Sequence, residues 1–377
     1  MMRPIDDPAH ISRRLMMIGL ATSSVLSACS RSSDLEVPQR PLIPTQDPLA
    51  SMRFQANADA AVWARHLDLS RLRNKPQMLA LSGGGEDGAF GAGALSGWSK
   101  TGGRPDFDVV TGVSTGALIA PMAFLGKDGD ATLQRMFLDH DSEDIARFRL
   151  RTAVSSDGIY DTAPLAALIA AYTPAPVLEA IASKHDAGAR LFIVTSNLAT
   201  SRAVVWDMGE IAKAGHYDLF RAVMRASGAL PGLFPSVKIG FEHKGELIKE
   251  THVDGGVQMQ FLATPTAAFN QISNAARGGN AYLLVNNTLD PKPQISADTA
   301  LGISQQAITA MIRSSAASSV DAARLLAREY GLGFHLAAIS ADSGIEFDAS
   351  NRFSAEYMTA MFAHGHDRAV SGSLWGS

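Results

Sequence analysis

Sulfur chemistry is almost absent from this chain: its 377 residues include one cysteine, Cys29. A single thiol excludes an internal disulfide framework, and no run of His, Cys or carboxylates has metal-ligand spacing, so packing alone is expected to hold the fold. A surplus of one charge is missing too. With 33 Lys+Arg against 37 Asp+Glu the net charge is −4, and no basic patch is available to neutralise the phosphates of a nucleic acid. Internal repeats are lacking, and no apolar run is long enough to cross a bilayer as a permanent helix. Aromatic residues make up 7% of the chain, but 46% is apolar overall, enough for a large core in one or two domains.

What is present begins with a leader. Arg3, Arg13 and Arg14 precede the apolar run Leu15 to Leu26, followed by Ser27-Ala28-Cys29, and these are the parts of a signal peptide over residues 1–28. Leu26-Ser27-Ala28-Cys29 resembles the lipobox of bacterial lipoproteins, which makes Cys29 the lipidation candidate; a stray cysteine in a discarded peptide is the other reading. Ser12-Arg13-Arg14-Leu15-Met16 is similar to a twin-arginine export signal, so the route of export stays open. Residues 29–50, with Pro38, Pro41, Pro44 and Pro48 among polar residues, read as a semi-rigid tether. The expectation is an exported lipoprotein held on the periplasmic side, at the outer membrane, with its folded domain over 51–377. Loss of residues 1–28, which carry three Arg and two Asp, would take the net charge from −4 to −5. Membrane contact would then rest on acyl chains and apolar surface and not on attraction to anionic lipid.

Within the folded part, Asp108 to Val113 is an apolar run that meets Gly112-Val113-Ser114-Thr115-Gly116 and continues into a helix-like segment. Gly-x-Ser-x-Gly between a strand and a helix reads as a nucleophile elbow: the serine needs a strained backbone, and Gly112 and Gly116 remove the side chains that would collide there. Ser114 is the nucleophile candidate. Upstream, the buried strand 77–82 runs into Gly83-Gly84-Gly85-Glu86-Asp87-Gly88, a strand, glycine loop and helix whose uncovered amides can converge on one oxygen. The same spacing satisfies a dinucleotide fingerprint, but that reading wants an acid at the end of the second strand, where Ser114 stands. Downstream, Asp254-Gly255-Gly256 follows the strand 247–253 and places a carboxylate at a tight turn; an ordinary turn aspartate is the alternative.

Coarser features complete the reading. A helix is expected around 58–72, capped by Asn57, with others at 217–230 and 302–330, and strands at 191–196, 203–206, 281–286 and 334–340. The stretch 131–161 reads as charged and irregular, its Asp139, Asp141, Glu143 and Asp144 forming a solvated face. Phe353, Tyr357, Met358, Met361 and Phe362 recur at helical spacing and read as core. Strands alternating with helices give an α/β fold, a three-layer sandwich with a largely parallel central sheet.

In combination and in this order, Gly83-Gly84-Gly85-x-x-Gly88, Gly112-x-Ser114-x-Gly116 and Asp254-Gly255-Gly256 resemble the patatin-like phospholipase family. Gly158-Ile159-Tyr160-Asp161-Thr162 and Arg225 to Pro235 are similar to family segments, so the resemblance covers about residues 77–260. It implies lipid acyl hydrolysis by a Ser-Asp dyad without cofactor or metal: Ser114 as nucleophile, Asp254 as its partner, and the backbone of Gly83, Gly84 and Gly85 as oxyanion hole. The implied substrate is a phospholipid or other acyl lipid. Two other readings remain: an α/β-hydrolase triad using His364 or His366, and a weakly active lipid-binding envelope protein of the same fold. One departure stands out, because the family commonly carries Arg or Lys just before the glycine at position 88 and this chain carries Asp87. A carboxylate about 8 Å from an oxyanion costs about 2 kcal/mol at an effective dielectric of about 20. Asp87 is therefore expected to point away, into the helix N-terminus or solvent.

Overall fold

The computed structural model describes residues 47–68, 70–148, 158–262, 278–290, 300–348 and 351–376. Cys29, the leader and most of the tether fall outside these residues. Chain contacts divide the molecule into Met1–Arg40 and Pro41–Ser377, and the description below concerns the second unit.

Runs such as Met78-Leu79-Ala80-Leu81 and Leu191-Phe192-Ile193-Val194 carry apolar side chains on both faces, which suits a sheet covered on both sides. The strands are β1 (Arg53–Gln55), β2 (Gln77–Leu81), β3 (Val109–Val113), β4 (Arg190–Asn197), β5 (Arg202–Asp207), β6 (Val237–His243), β7 (Glu246–Asp254), β8 (Asn280–Val285) and β9 (Gly333–Ala338). Among the described residues they form one nine-stranded sheet in the order β1-β5-β4-β3-β2-β8-β9, with the β6–β7 hairpin joined to β4. The five from β4 to β9 in that order run parallel. The chain winds from β2 through β3 to β4 on one side, then returns to place β8 and β9 on the other, so the loop after β2 lies at a topological switch point, where open α/β sheets bind ligands.

Side chains alternate between the two faces as the pleat requires. Leu79, Leu81, Val110, Leu191, Ile193 and Leu284 enter the larger core, with α2 (Gly88–Lys100), α3 (Thr115–Leu125), α4 (Asp130–Leu138), α5 (Ala163–Tyr172), α6 (Ala175–Asp186), α7 (Tyr217–Ser227) and α9 (Ala355–Val370) over them. Val109, Val113, Phe192 and Val194 face the other way, towards Trp63 and Leu67 of α1 (Ala60–Leu67). Ala80, Leu283 and Val285 meet Val320 and Ala323 of α8 (Ala300–Tyr330). The result is the expected three-layer mixed α/β sandwich.

Helices α2 and α9 touch at backbone distance. A Cβ on Gly93 would collide with the Phe362 carbonyl, one on Gly97 with that of His366, and one on Gly365 with that of Phe90. This close contact fixes where the N-terminus of α9 lands. Met358, Met361 and Phe362 are buried, as their spacing implied.

Three details depart from expectation. Helix α1 is capped by Asp59, whose Oδ1 accepts from the Val62 amide at 3.0 Å, and it ends at Leu67 because Asp68 turns left-handed (φ 47°). The stretch expected to be irregular contains α4, an amphipathic helix anchored by Leu133 and Phe137, and Asp141 caps the short turn Ser142–Ile145 in a reciprocal capping box. The β6–β7 hairpin adds a strand where the alternation in Val237-Lys238-Ile239-Gly240 had gone unread. Among the described residues no single helix is long and apolar enough to cross a membrane; the bent pair α5–α6 is so only when taken together, and its Leu165, Ile169, Leu178 and Ile181 are buried in the core.

Candidate active site

Strand β4 acts as a ruler with two partners in line. Residues 190–194 pair in parallel with 109–113 of β3, and the next three pair antiparallel with β7, Thr195 opposite Asp254 and Asn197 opposite His252. Where β3 stops at Val113, β7 takes its place at Asp254. The residue after β3 is Ser114, so the register alone brings serine and aspartate to one point at the carboxyl edge of the sheet.

Ser114 sits at φ 55°, ψ −125°, a conformation that costs a non-glycine residue about 1–3 kcal/mol and persists only where the surroundings impose it. They do. The Ser114 amide donates to Ser227 Oγ at 3.0 Å, and Ser227 Oγ donates to the Val194 carbonyl at 2.7 Å. A Cβ on Gly112 would lie 2.5 Å from the Gly116 carbonyl oxygen, and one on Gly116 would strike the carbonyl of Leu81. The two glycines thus let the turn fold against β2.

Asp254 is buried beside the Ser114 side chain, and its Oδ1 accepts from the Gly256 amide at 2.7 Å. Its backbone is pinned by Ala229, which accepts from the Asp254 amide at 3.0 Å, and by Ser196, whose hydroxyl donates to the Asp254 carbonyl at 2.9 Å. Burial pushes the carboxyl up to about 6, against the opposing pull of the Ser114 side chain and the Gly256 amide.

The glycine loop faces this pair. A Cβ on Gly83 would lie 2.8 Å from that of Ser114, and one on Gly84 would overlap the Asn286 carbonyl. Gly85 is left-handed at φ 61°. Asn286, at the end of β8, ties the loop from behind: its amide nitrogen and Nδ2 donate to Ser82 Oγ at 2.8 Å and to the Ser82 carbonyl at 2.9 Å. Among the described residues no protein acceptor takes the amides of Gly83, Gly84 or Gly85. Gly88 is a glycine because Thr115 of the elbow presses on it, so the spacing that mimics a dinucleotide fingerprint arises from one loop packed on another.

Asp87 corrects the sequence reading. It lies half-buried and does not cap the helix; Tyr357 Oη of α9 donates to its Oδ1 at 2.5 Å. Burial raises the carboxyl to about 7, Tyr357 pulling the other way, and neighbouring Glu86 adds to the rise. Glu86 itself is buried and held by Arg352.

From Gly85, Glu86 and Thr115 an apolar cleft extends between Leu118, Met136, Phe137, Leu165, Ile169, Phe353 and Met358. A second apolar pocket lies on the opposite face of the sheet, between Trp63, Met78, Phe192 and Leu262, and includes neither Ser114 nor the glycine loop.

The histidines lie elsewhere or are engaged. His364 rests against the Phe90 ring at 5.8 Å, and His366 meets Asp367 at 3.1 Å. His216 stands at the start of α7. His252 is fully buried, its Nδ1 2.9 Å from Thr195 Oγ1 and its Nε2 3.0 Å from Glu250 Oε2, so both ring nitrogens are occupied. Sequence reasoning missed Ser227, Asn286, Arg352 and Tyr357. Only Ser227 carried a signal, inside the Arg225 to Pro235 segment.

The class is therefore a mixed α/β protein that exposes a strained serine beside a buried aspartate at the carboxyl edge of its sheet. A model of the patatin-like phospholipase family matches residues 79–267. The chain belongs to that family, whose members hydrolyse acyl lipids. No curated protein matches it by sequence. Among solved structures, that of VipD from Legionella pneumophila aligns over 79% of this chain at 13% identity and a TM-score of 0.34; the alignment spans 66% of VipD, slightly under two thirds of its length.

Proposed function

We propose that this protein is a lipid acyl hydrolase in which Ser114 attacks the ester carbonyl and Asp254 takes and returns the proton. The observation that carries the reading is the strained Ser114 backbone set by the sheet register beside buried Asp254. As Ser114 Oγ bonds to the carbonyl carbon, its proton passes to Asp254 and the carbonyl oxygen becomes an oxyanion facing the amides of Gly83, Gly84 and Gly85. Collapse breaks the ester bond; the departing alcohol leaves with the proton from Asp254, and an acyl-Ser114 remains. Water then attacks that acyl group, again losing a proton to Asp254, and the fatty acid departs as Ser114 is reprotonated. Raised to about 6, Asp254 is a better proton acceptor than an ordinary carboxylate and is still ionised at neutral pH.

The apolar cleft beside Gly85 and Thr115 supports an acyl chain as the group held during these steps. Release of free fatty acid from defined phospholipids, lysophospholipids and neutral esters, with Ser114→Ala as control, tests the activity and its substrate class. Fluorophosphonate should label the parent at Ser114; an unlabelled protein would favour the lipid-binding alternative.

Export and lipidation at Cys29 belong to the same proposal, resting on the leader and the lipobox-like Leu26-Ser27-Ala28-Cys29. Anchoring by two or more acyl chains is stable where one is not. Mass spectrometry of the mature N-terminus is expected to find a lipid-modified cysteine in a membrane fraction; an unmodified terminus at another residue would overturn it.

A further inference from the structure

The loop that faces Ser114 carries two adjacent carboxylates, Glu86 and Asp87, and no basic residue of its own between 83 and 88. A cation is nevertheless present, delivered from about 265 residues along the chain. Arg352 donates from Nε to Glu86 Oε1 at 3.0 Å and from Nη2 to Glu86 Oε2 at 2.8 Å. Its Nη2 lies 3.4 Å from the place a Cβ would occupy on Gly85, so the guanidinium lies against the backbone of the loop itself. Such a two-point fork fixes direction as well as charge.

The segment that carries Arg352 is held from several sides. Phe353 is left-handed at φ 59°, a costly state for a bulky residue and a sign that its surroundings over-determine it. Its ring stacks on Phe234 at 6.1 Å, receives the Arg352 guanidinium at 5.4 Å and forms part of the cleft wall. Ser354 then caps α9, its Oγ accepting from the Tyr357 amide at 3.1 Å. The backbone contact between α2 and α9 sets this whole end of the helix in place.

We propose that Arg352 is a positioning residue for hydrolysis: clamped to Glu86, it holds the Gly83 to Gly85 backbone in the conformation that receives the oxyanion. This part is played from outside the residues matched to the family, 79–267. Glu86 cannot serve unpaired, because a buried carboxylate without a partner would seek water and drag the loop with it. The proposal rests on the Ser114 reading given above.

Kinetics on a soluble acyl ester, melting temperatures and amide exchange of residues 83–88 test it together, with Arg352→Met, Arg352→Lys and Glu86→Gln/Arg352→Met compared with the parent. Displacing catalytic groups by about 1 Å costs about 100-fold, so Arg352→Met should lose about that much kcat with KM changed less than about threefold. The double variant removes the stranded charge and should recover the melting temperature while kcat stays more than about 30-fold below the parent. Arg352→Lys, which keeps the charge but not the fork, should fall between. Loop amides should exchange faster in both methionine variants. Recovery of kcat to within about threefold of the parent in the double variant would mean that Arg352 only balances a buried charge, and would overturn the proposal. Unchanged loop exchange in Arg352→Met would overturn it equally. If the parent releases no fatty acid, the Ser114 reading fails, and loop exchange alone decides whether the clamp exists.

Discussion

At the scale of single residues, two carboxyls near the elbow titrate where ordinary aspartates do not. As the proposed proton acceptor, Asp254 would have to be ionised, and burial lifts it to about 6, so kcat/KM is expected to rise as pH increases through about 6 and to level off above 7. The same shift makes Asp254 a stability liability. A carboxyl whose folded value lies above its unfolded value of 3.8 favours folding when protonated, and that advantage is lost as pH rises from about 4 through about 6. Two units correspond to about 3 kcal/mol. Asp254→Asn should therefore be inactive yet melt at a higher temperature than the parent at pH 7.5, the gap shrinking as pH falls towards 4. An equal or lower melting temperature at pH 7.5 would argue against a desolvated base.

Asp87, raised to about 7, is largely neutral in mildly acidic solution and charged above neutrality, beside Glu86 on the loop proposed to receive the oxyanion. Asp87→Asn should match the parent near pH 6 and exceed it several-fold near pH 8.5, read as the ratio of kcat values. A constant ratio across that range would show that the Asp87 charge does not reach the reacting oxygen.

At the scale of elements, the cleft is a product of packing between α3, α4, α5 and the start of α9. Leu118 of α3 and Leu165 of α5 face it, and neither contacts the glycine loop in the sequence of hydrogen bonds that hold it. Leu165→Trp should fill the cleft without touching the elbow. Hydrolysis of long-chain esters is expected to fall by at least about tenfold while short-chain esters stay within about threefold of the parent, measured as kcat/KM over a chain-length series. An equal loss across the series would place the acyl chain elsewhere. Element boundaries also show why part of the fold is hidden in the sequence. Helix α4 reads as irregular because only Leu133 and Phe137 are buried on it, too few to mark a face. The strand at Val237–His243 alternates cleanly, but it lies at the sheet margin with Lys238, Gly240 and Glu242 exposed, where a hairpin and a polar loop share a composition.

At the scale of the whole molecule, the sheet and the candidate site differ in how far local sequence reaches. Buried parallel strands announce themselves as apolar runs, and the elbow and glycine loop announce themselves through turns that need glycine. Those features make the α/β fold legible without coordinates and single out Ser114, Asp254 and Gly83 to Gly85 as candidates. The meeting of Ser114 with Asp254 depends instead on β4 exchanging one partner for another at Thr195, and a register is not written in either motif. Asn286, Arg352 and Tyr357 were illegible for a similar reason. Each is an ordinary polar residue until a distant strand or the α2–α9 contact brings it to the loop. Asp87 was misplaced because its partner, Tyr357, is 270 residues away.

The most direct test of the central claim, a serine served by an aspartate and by no histidine, is kcat/KM on a fatty-acyl ester for Ser114→Ala, Asp254→Asn, and alanine at His216, His252, His364 and His366. Ser114→Ala and Asp254→Asn should each lose several orders of magnitude, and alanine at His216, His364 and His366 should stay within about tenfold of the parent. His252 is bonded on both nitrogens beside Asp254, so its variant is read alongside its melting temperature. A dead enzyme at His364 or His366 beside an active Asp254→Asn would contradict the dyad and point to a Ser-His-Asp triad.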